Sequence, residues 1–370
     1  MHILVTADTV GGVWTYAREL VTGLVHRGIK VTLVSFGDIP APQQSEWMQG
    51  LQGLDYRPTA FKLEWMQESE ADLEASAAYL EEVVLETSPD LLHLNQFYYG
   101  ALRCDVPRIV VAHSDVVSWW VAVRGQEPPD SSWMRWYRKI VARGVINATA
   151  VIANSWWMLD QIAQHYVKPD LGSVVYNGRT PSLFNPHPGK SKDDLLVTVG
   201  RLWDAGKNAA MLLREEMPLP ICIIGNDRHP ESQGNAFTGI PSRAGVQFEP
   251  PQSENQLSQF FARAAIYAAT SRYEPFGLAP VEAGLSRCAI VASDIPSFRE
   301  LWNGAALFFR NDDAVSLKEA VTQLVNDCEL RRHYADVAYK HALERFNSER
   351  MIDDYLNFYQ TLVPVNALPA

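Results

Sequence analysis

Short apolar runs alternate with stretches of helical period along this chain, first through residues 3–176 and again from 195 onward. That alternation restricts it to a layered α/β architecture. Residues 3–6 read as a buried strand, Asp8-Thr9-Val10-Gly11-Gly12 turns the chain, and Val13, Ala17, Leu20, Val21 and Leu24 recur at helical spacing until Gly28 ends the helix. Residues 29–34 resume as strand. Such a β-α-β unit requires parallel strands and a right-handed crossover. Further apolar runs at 91–94, 109–112, 151–154 and 174–176 extend the same sheet.

Residues 177–193 hold three prolines, two glycines and little apolar periodicity, the pattern of a linker. Beyond it strands are expected at 195–199, 221–224, 266–269, 289–292 and 305–309, with helices near 208–216, 254–265 and 277–286. After Asp312 the chain reads as helical to about Val363, with a break and a new cap at Phe346-Asn347-Ser348-Glu349. The expectation is two Rossmann-like, doubly wound parallel-sheet domains, 1–185 and 186–346. A length of 370 residues agrees, since single cores stop growing near ~250–300 residues. Ligands of such sheets sit beyond the carboxyl ends of the strands, so an inter-domain cleft lined by post-strand residues is expected.

Composition narrows the partners. A net charge of −11 and pI near 5.3 disfavour nucleic acid, which takes concentrated lysine and arginine. Cys104, Cys222, Cys288 and Cys328 are scattered, without disulfide or zinc spacing, and fit a cytoplasmic setting. No signal peptide and no run of ~18 apolar residues is present, so stable membrane insertion is not expected. Oligomeric state is left open.

The residues after strands carry the chemistry. Arg201 and Lys207 follow the first strand of the second domain, where two fixed cations can meet the charge of a departing diphosphate. Between Ser271 and Ala283 the chain reads Ser-Arg-Tyr-Glu-Pro-Phe-Gly-Leu-Ala-Pro-Val-Glu-Ala. Pro280 is tolerated only near a helix start, which places the amides of Phe276, Gly277, Leu278 and Ala279 toward the ligand, with Glu274 ahead of the helix and Glu282 in its second turn.

This segment resembles the Glu-Pro-Phe-Gly motif of the retaining GT-B glycosyltransferases of family 4, the glycogen and sucrose synthase type. The resemblance implies that Glu282 binds ribose hydroxyls, Glu274 contacts the donor sugar, Arg201 and Lys207 hold the diphosphate, and residues 276–279 supply backbone contacts. It also implies a closing helix, 347–370, that crosses back onto the first domain. Arg287 and Cys288 replace small residues usual there and Ser297 stands where glycine is common, and none of them is a proposed ligand.

In the first domain, Gly11 and Gly12 let backbone approach a donor beside a helix start. No GxGxxG fingerprint occurs, which counts against a nicotinamide oxidoreductase. His113 follows a strand and is similar to the family's histidine on the catalytic side, with a role in hydrogen bonding the donor sugar. Trp14, Asn95 and Trp119 are acceptor candidates, for a small-molecule, glycan or lipid-linked acceptor. No Asp-x-Asp triplet or metal-spaced cluster occurs, so no cofactor and no metal is expected. The expected activity is therefore metal-independent, same-face transfer of a hexose from a nucleotide-diphosphate sugar. A sugar-nucleotide epimerase and a non-catalytic sugar-nucleotide-binding protein are the competing readings.

Overall fold

The computed structural model describes residues 1–184, 191–226 and 244–363. The chain divides into two compact units. One comprises Met1–Val121, Gln126–Gly178 and the described residues from Ser348; the other comprises Ala122–Gly125 and the described residues of Arg179–Asn347.

The first unit contains β1 (His2–Asp8), α1 (Gly12–His26), β2 (Lys30–Phe36), α2 (Pro42–Ser45), β3 (Leu54–Pro58), α3 (Glu70–Thr87) and β4 (Leu91–Leu94). It continues with β5 (Arg108–Ala112), α4 (Val116–Arg124, whose last residues fall in the other unit), α5 (Ser132–Asn147), β6 (Ala150–Ala153), α6 (Trp156–His165) and β7 (Gly172–Val174). The strands pair in parallel in the order β3-β2-β1-β4-β5-β6-β7. Alternate residues go to opposite faces, as the pleat demands. Leu4, Leu92, Val110 and Val151 pack with α3, α5 and α6, whereas Ile3, Val5, Ile109 and Ile152 pack on the other side with α1.

In the second unit the order of elements is β8 (Asp193–Val199), β9 (Ile221–Ile224), β10 (Val246–Glu249), α7 (Glu254–Arg263), β11 (Ala264–Ala269), α8 (Leu278–Leu285), β12 (Ala289–Ser293), α9 (Pro296–Trp302), β13 (Leu307–Phe309), α10 (Ala314–Asn326) and α11 (Cys328–Arg345). Its parallel sheet runs β10-β9-β8-β11-β12-β13. Both sheets therefore reverse direction of winding once, between β1 and β4 in the first and between β8 and β11 in the second.

After α11 the chain rejoins the first unit as α12 (Ser348–Leu362), which lays Met351, Ile352, Tyr355 and Tyr359 into the core beside α1. Gly23 of α1 makes room: a Cβ there would lie 1.9 Å from Ile352 Cδ1. Arg27 of α1 bonds Glu349 and Asp353 of α12, each at 2.7 Å.

Three details differ from the sequence expectation. The contacts divide at Gly178/Arg179, ahead of the expected 185/186, because Arg179 is already anchored in the second unit by its backbone bond to Phe346 and by its side chain. The expected helix at 208–216 is a short 3-10 segment, Ala209–Leu213. Asn208 enters it in the left-handed region at φ 50°, its amide held to Asp312 at 3.2 Å, and Pro218 and Pro220 prevent continuation. Strands β3 and β10 were not anticipated, being edge strands with mixed exposure.

Candidate functional site

The loops after β8 and β11 emerge side by side at the reversal point of the second sheet, where opposite crossovers leave a crevice past the strand ends. The chain leaves β8 through Gly200-Arg201 and is turned back by Asp204. One carboxylate oxygen of Asp204 accepts from Gly206 N–H at 2.8 Å, and the other accepts from Arg201 Nη2 at 2.8 Å. The Gly206 carbonyl then accepts from Arg272 N–H at 2.8 Å, and the Lys207 carbonyl from the Thr270 hydroxyl at 2.9 Å.

Laced together in this way, the two loops bring Lys207 Nζ into a hydrogen-bonded ion pair with Glu274 Oε2, which also accepts from Ser271 Oγ at 3.3 Å. Gly200 lies against the lysine stem, where a Cβ would sit in ordinary van der Waals contact, 3.4 Å from Lys207 Cγ. Lys207 and Glu274 are 21% and 13% exposed and so weakly screened by solvent. Arg201, 40% exposed, stands at the rim with its guanidinium 5.2 Å from the Trp203 ring centre.

Gly277 caps α8 at φ 86°, a conformation that favours glycine, and a Cβ there would sit 3.0 Å from Glu274 Cγ. Glycine thus lets the chain turn into the helix directly beneath the Glu274 side chain. Leu278 and Ala279 begin the helix, so their amides lack intrahelical acceptors and stand at the positive end of its dipole. Phe276 contributes only backbone: its ring is buried against Phe346, centroids 5.2 Å apart.

Glu282 lies on the second turn of α8 and takes a different cation from Glu274. Its Oε1 accepts from Arg179 Nε at 2.8 Å, and Arg179 also ion-pairs with Glu254. Burial pushes the nearby Tyr267 phenol well above its ordinary range, with smaller pushes from Glu274 and Glu282. Two cations, a row of helix-start amides and a carboxylate within one crevice suit a diphosphate bearing a hydroxyl-rich group.

The first unit presents a second set of strand-end residues. Gly11, exposed, caps α1 at φ 86° and ψ −145°, and the preceding turn is held by Asp8 Oδ1 accepting from Val10 N–H at 2.6 Å. Gly12, also exposed, opens the helix. Asn95 Nδ2 donates to the Thr6 carbonyl at 2.5 Å, which turns Oδ1 toward His113 Nε2 at 2.8 Å. An oxygen facing Nε2 makes that nitrogen the donor and leaves Nδ1 as the lone-pair nitrogen. Burial holds the ring neutral, pushing its pKa down to about 3. Asn154 Nδ2 bonds the His113 carbonyl at 3.0 Å.

Asn95 is thus a buried support of His113 rather than an open acceptor contact. Trp14 departs from its expected acceptor role too: it is 8% exposed, packed against Trp47 and Tyr56, with its indole N–H given to the Gln44 carbonyl at 3.2 Å. A tryptophan two residues into an amphipathic helix falls on its apolar face, and core packing won. Trp119 is half-buried on α4, its ring edge-on to Trp120 at 6.2 Å.

Sequence reading missed Asp204, Ser271 and Arg179. For Asp204 a signal existed, because Asp-Ala-Gly is the pattern of an aspartate bonding the amide two residues on. Arg179 carries no such local mark.

Two family models tile the chain: Glycosyltransferase Family 4 over residues 10–183, and Glycosyl transferases group 1 over residues 182–341. The O-antigen chain mannosyltransferase RfbU of Salmonella typhimurium is 27% identical over 203 residues, 53% of this chain and 57% of that enzyme, so the match spans little more than half of that relative. The alpha-maltose-1-phosphate synthase of Mycobacterium tuberculosis is 25% identical over 297 residues, 71% of this chain and 75% of that one. Among solved structures, sucrose-phosphate synthase from Thermosynechococcus elongatus superposes with TM-score 0.79 at 17% identity, covering 98% of this chain and 99% of its own. HepE of Anabaena, in complex with UDP-glucose, does so with TM-score 0.76 at 16% identity, covering 98% and 100%.

Proposed function

This chain belongs to the GT-B glycosyltransferases, its first unit of family 4 type and its second of group 1 type, and on that premise we propose a retaining, metal-independent hexosyltransferase. The donor is a nucleotide-diphosphate hexose and the acceptor a hydroxyl of a small molecule, glycan or lipid-linked sugar. The pairing of Lys207 with Glu274 beside Arg201 and the start of α8 carries this reading.

In the proposed reaction the bond from the anomeric carbon to the β-phosphate oxygen breaks, and its electron pair leaves with the diphosphate. An acceptor oxygen bonds the same face of that carbon, and its proton passes to the departing phosphate. Lys207, Arg201 and the amides of Gly277, Leu278 and Ala279 meet the charge that develops on the phosphate. Glu274 accepts hydroxyls of the sugar, and Glu282, held by Arg179, accepts ribose hydroxyls. His113 offers a neutral acceptor nitrogen to a sugar hydroxyl. The nature of the relatives supports the substrate class, since their names specify mannosyl and maltose groups and HepE was solved with UDP-glucose. Four unpaired cysteines suit a reducing cytoplasm, and no helix among the described residues is long and apolar enough to cross a membrane.

The test is NMR of products formed from UDP-, GDP- and ADP-hexoses in the presence of EDTA, with and without sugar acceptors. A product that keeps the donor's anomeric configuration supports the proposal. Inversion, a strict requirement for a divalent ion, isomerisation of the donor alone, or binding without turnover each sinks part of it.

A further inference from the structure

His93 lies on β4 with no exposed surface, and both of its ring nitrogens are occupied by phenol hydroxyls from different helices. Nε2 is 3.0 Å from the hydroxyl of Tyr16 on α1, and Nδ1 is 2.6 Å from the hydroxyl of Tyr359 on α12. Burial keeps the imidazole neutral, with a pKa lowered to about 3. A neutral ring has one N–H and one lone pair, so one tyrosine must donate to it and the other must accept from it. The two hydroxyls are therefore coupled through the ring, and removing either one frees the tautomer.

The far end of this chain of groups is His113. The Tyr16 ring stands edge-on to the His113 ring, centroids 4.6 Å apart at 67°. Asn95, which bonds His113 Nε2, lies two positions beyond His93, just past the end of β4. Tyr355, also on α12, packs its ring against His93 and Tyr16 at 5.1 and 6.2 Å. Leucine or phenylalanine would fill this space without the cost of burying an imidazole and two hydroxyls, a cost the hydrogen bonds only offset.

We propose that α12 is a working part of the His113 site, with Tyr359, His93 and Tyr16 as positioning residues that fix the orientation of the His113 ring. This rests on the role given to His113 above. A segment that follows the whole second unit in sequence thereby sets the geometry of a strand-end histidine in the first.

The experiment compares Tyr359→Phe and Tyr16→Phe with Leu356→Ala, a change on α12 that trims core packing and leaves the relay intact. Ring nitrogen resonances of His113, read from 15N-histidine-labelled protein, are expected to move in both phenylalanine variants and to stay in Leu356→Ala. In the same two variants kcat should fall about tenfold, with the donor KM changed less than about twofold, as for loss of positioning rather than of binding. Unmoved His113 resonances in both phenylalanine variants overturn the proposal, as does an equal movement in Leu356→Ala. Should Tyr359→Phe fail to fold, Tyr16→Phe carries the test alone. If the resonances move as expected while His113→Ala keeps full kcat, the relay stands and the function assigned to His113 fails.

Discussion

Arg179 Nε donates to Glu282 Oε1 across 2.8 Å, with the arginine side chain 1% exposed and the glutamate side chain 8%. Glu254 shares the same guanidinium, so a single buried cation serves two carboxylates. The guanidinium also stacks on Phe184, 5.0 Å from its ring centre. Taking two charges out of water brings little net stability, but removing one partner leaves the other without compensation.

Arg179→Met should therefore destabilise the second unit by about 3 kcal/mol or more, the scale for breaking a buried pair. Urea unfolding followed by tryptophan fluorescence measures it. The double change Arg179→Met with Glu282→Leu should recover part of that loss, because the more buried carboxylate is then gone and Glu254, 23% exposed, keeps access to water. A single variant as stable as the parent would show that the pair contributes nothing.

Loss of either crevice cation should act on the chemical step. Arg201→Ala and Lys207→Ala are each expected to cut kcat on the order of a hundredfold, the scale for removing one group that stabilises transition-state charge. Glu282→Ala should instead raise the donor KM more than it lowers kcat, since ribose contacts are made equally before and during reaction. Steady-state kinetics separates the two patterns, and near-normal kcat in both cation variants places the chemistry elsewhere.

Gly277→Ala tests the start of α8. Its φ of 86° disfavours any side chain, and the added methyl would press on Glu274 Cγ at 3.0 Å. The expected result is a loss of about 1–2 kcal/mol in stability and a larger fall in kcat than in nucleotide affinity. Thermal unfolding together with nucleotide titration reads both; an Ala variant with unchanged kcat would show that Glu274 has room to move.

Acid should weaken the first unit through His93. Its folded pKa of about 3 lies below the ordinary 6.5, so between those values the unfolded chain binds a proton that the folded one refuses. The stability His93 permits is complete above pH 6.5 and is lost as pH falls toward 3. From pH 7 to pH 5 the loss is roughly 2 kcal/mol, from about 1.4 kcal/mol for each pH unit below 6.5. Urea unfolding at the two pH values measures it, and because His113 is also held down to about 3 and adds a similar loss, His93→Gln should remove about half of the difference; an equal slope in that variant assigns the effect to other groups.

The fold was legible because strands buried on both faces print as plain apolar runs: 91–94, 109–112 and 151–154 coincide with or overlap β4, β5 and β6. The edge strands β3 and β10 have mixed exposure and print nothing so clear. Within the candidate site, residues with local marks could be picked out from the sequence as candidates, such as Glu274 and Gly277 beside Pro275 and Pro280. Those defined by distant partners were not. Arg179 meets Glu282 across 103 residues, and His93 meets Tyr359 across 266, and no spacing rule reaches that far. Trp14 shows the converse failure, since an aromatic beside a glycine pair reads alike whether it faces a ligand or the interior.

Because α12 belongs to the core of the first unit, the order in which the chain is made differs from the order in which its units are completed. Translation delivers domains from the amino end, at roughly 5–20 residues per second. The ribosome finishes the second unit at Asn347, while the first still lacks Met351, Ile352, Tyr355 and Tyr359. Over that interval the nascent first unit exposes the apolar side of α1 where α12 will lie, the kind of surface that chaperones cover. The unit begun first is thus the last to become native.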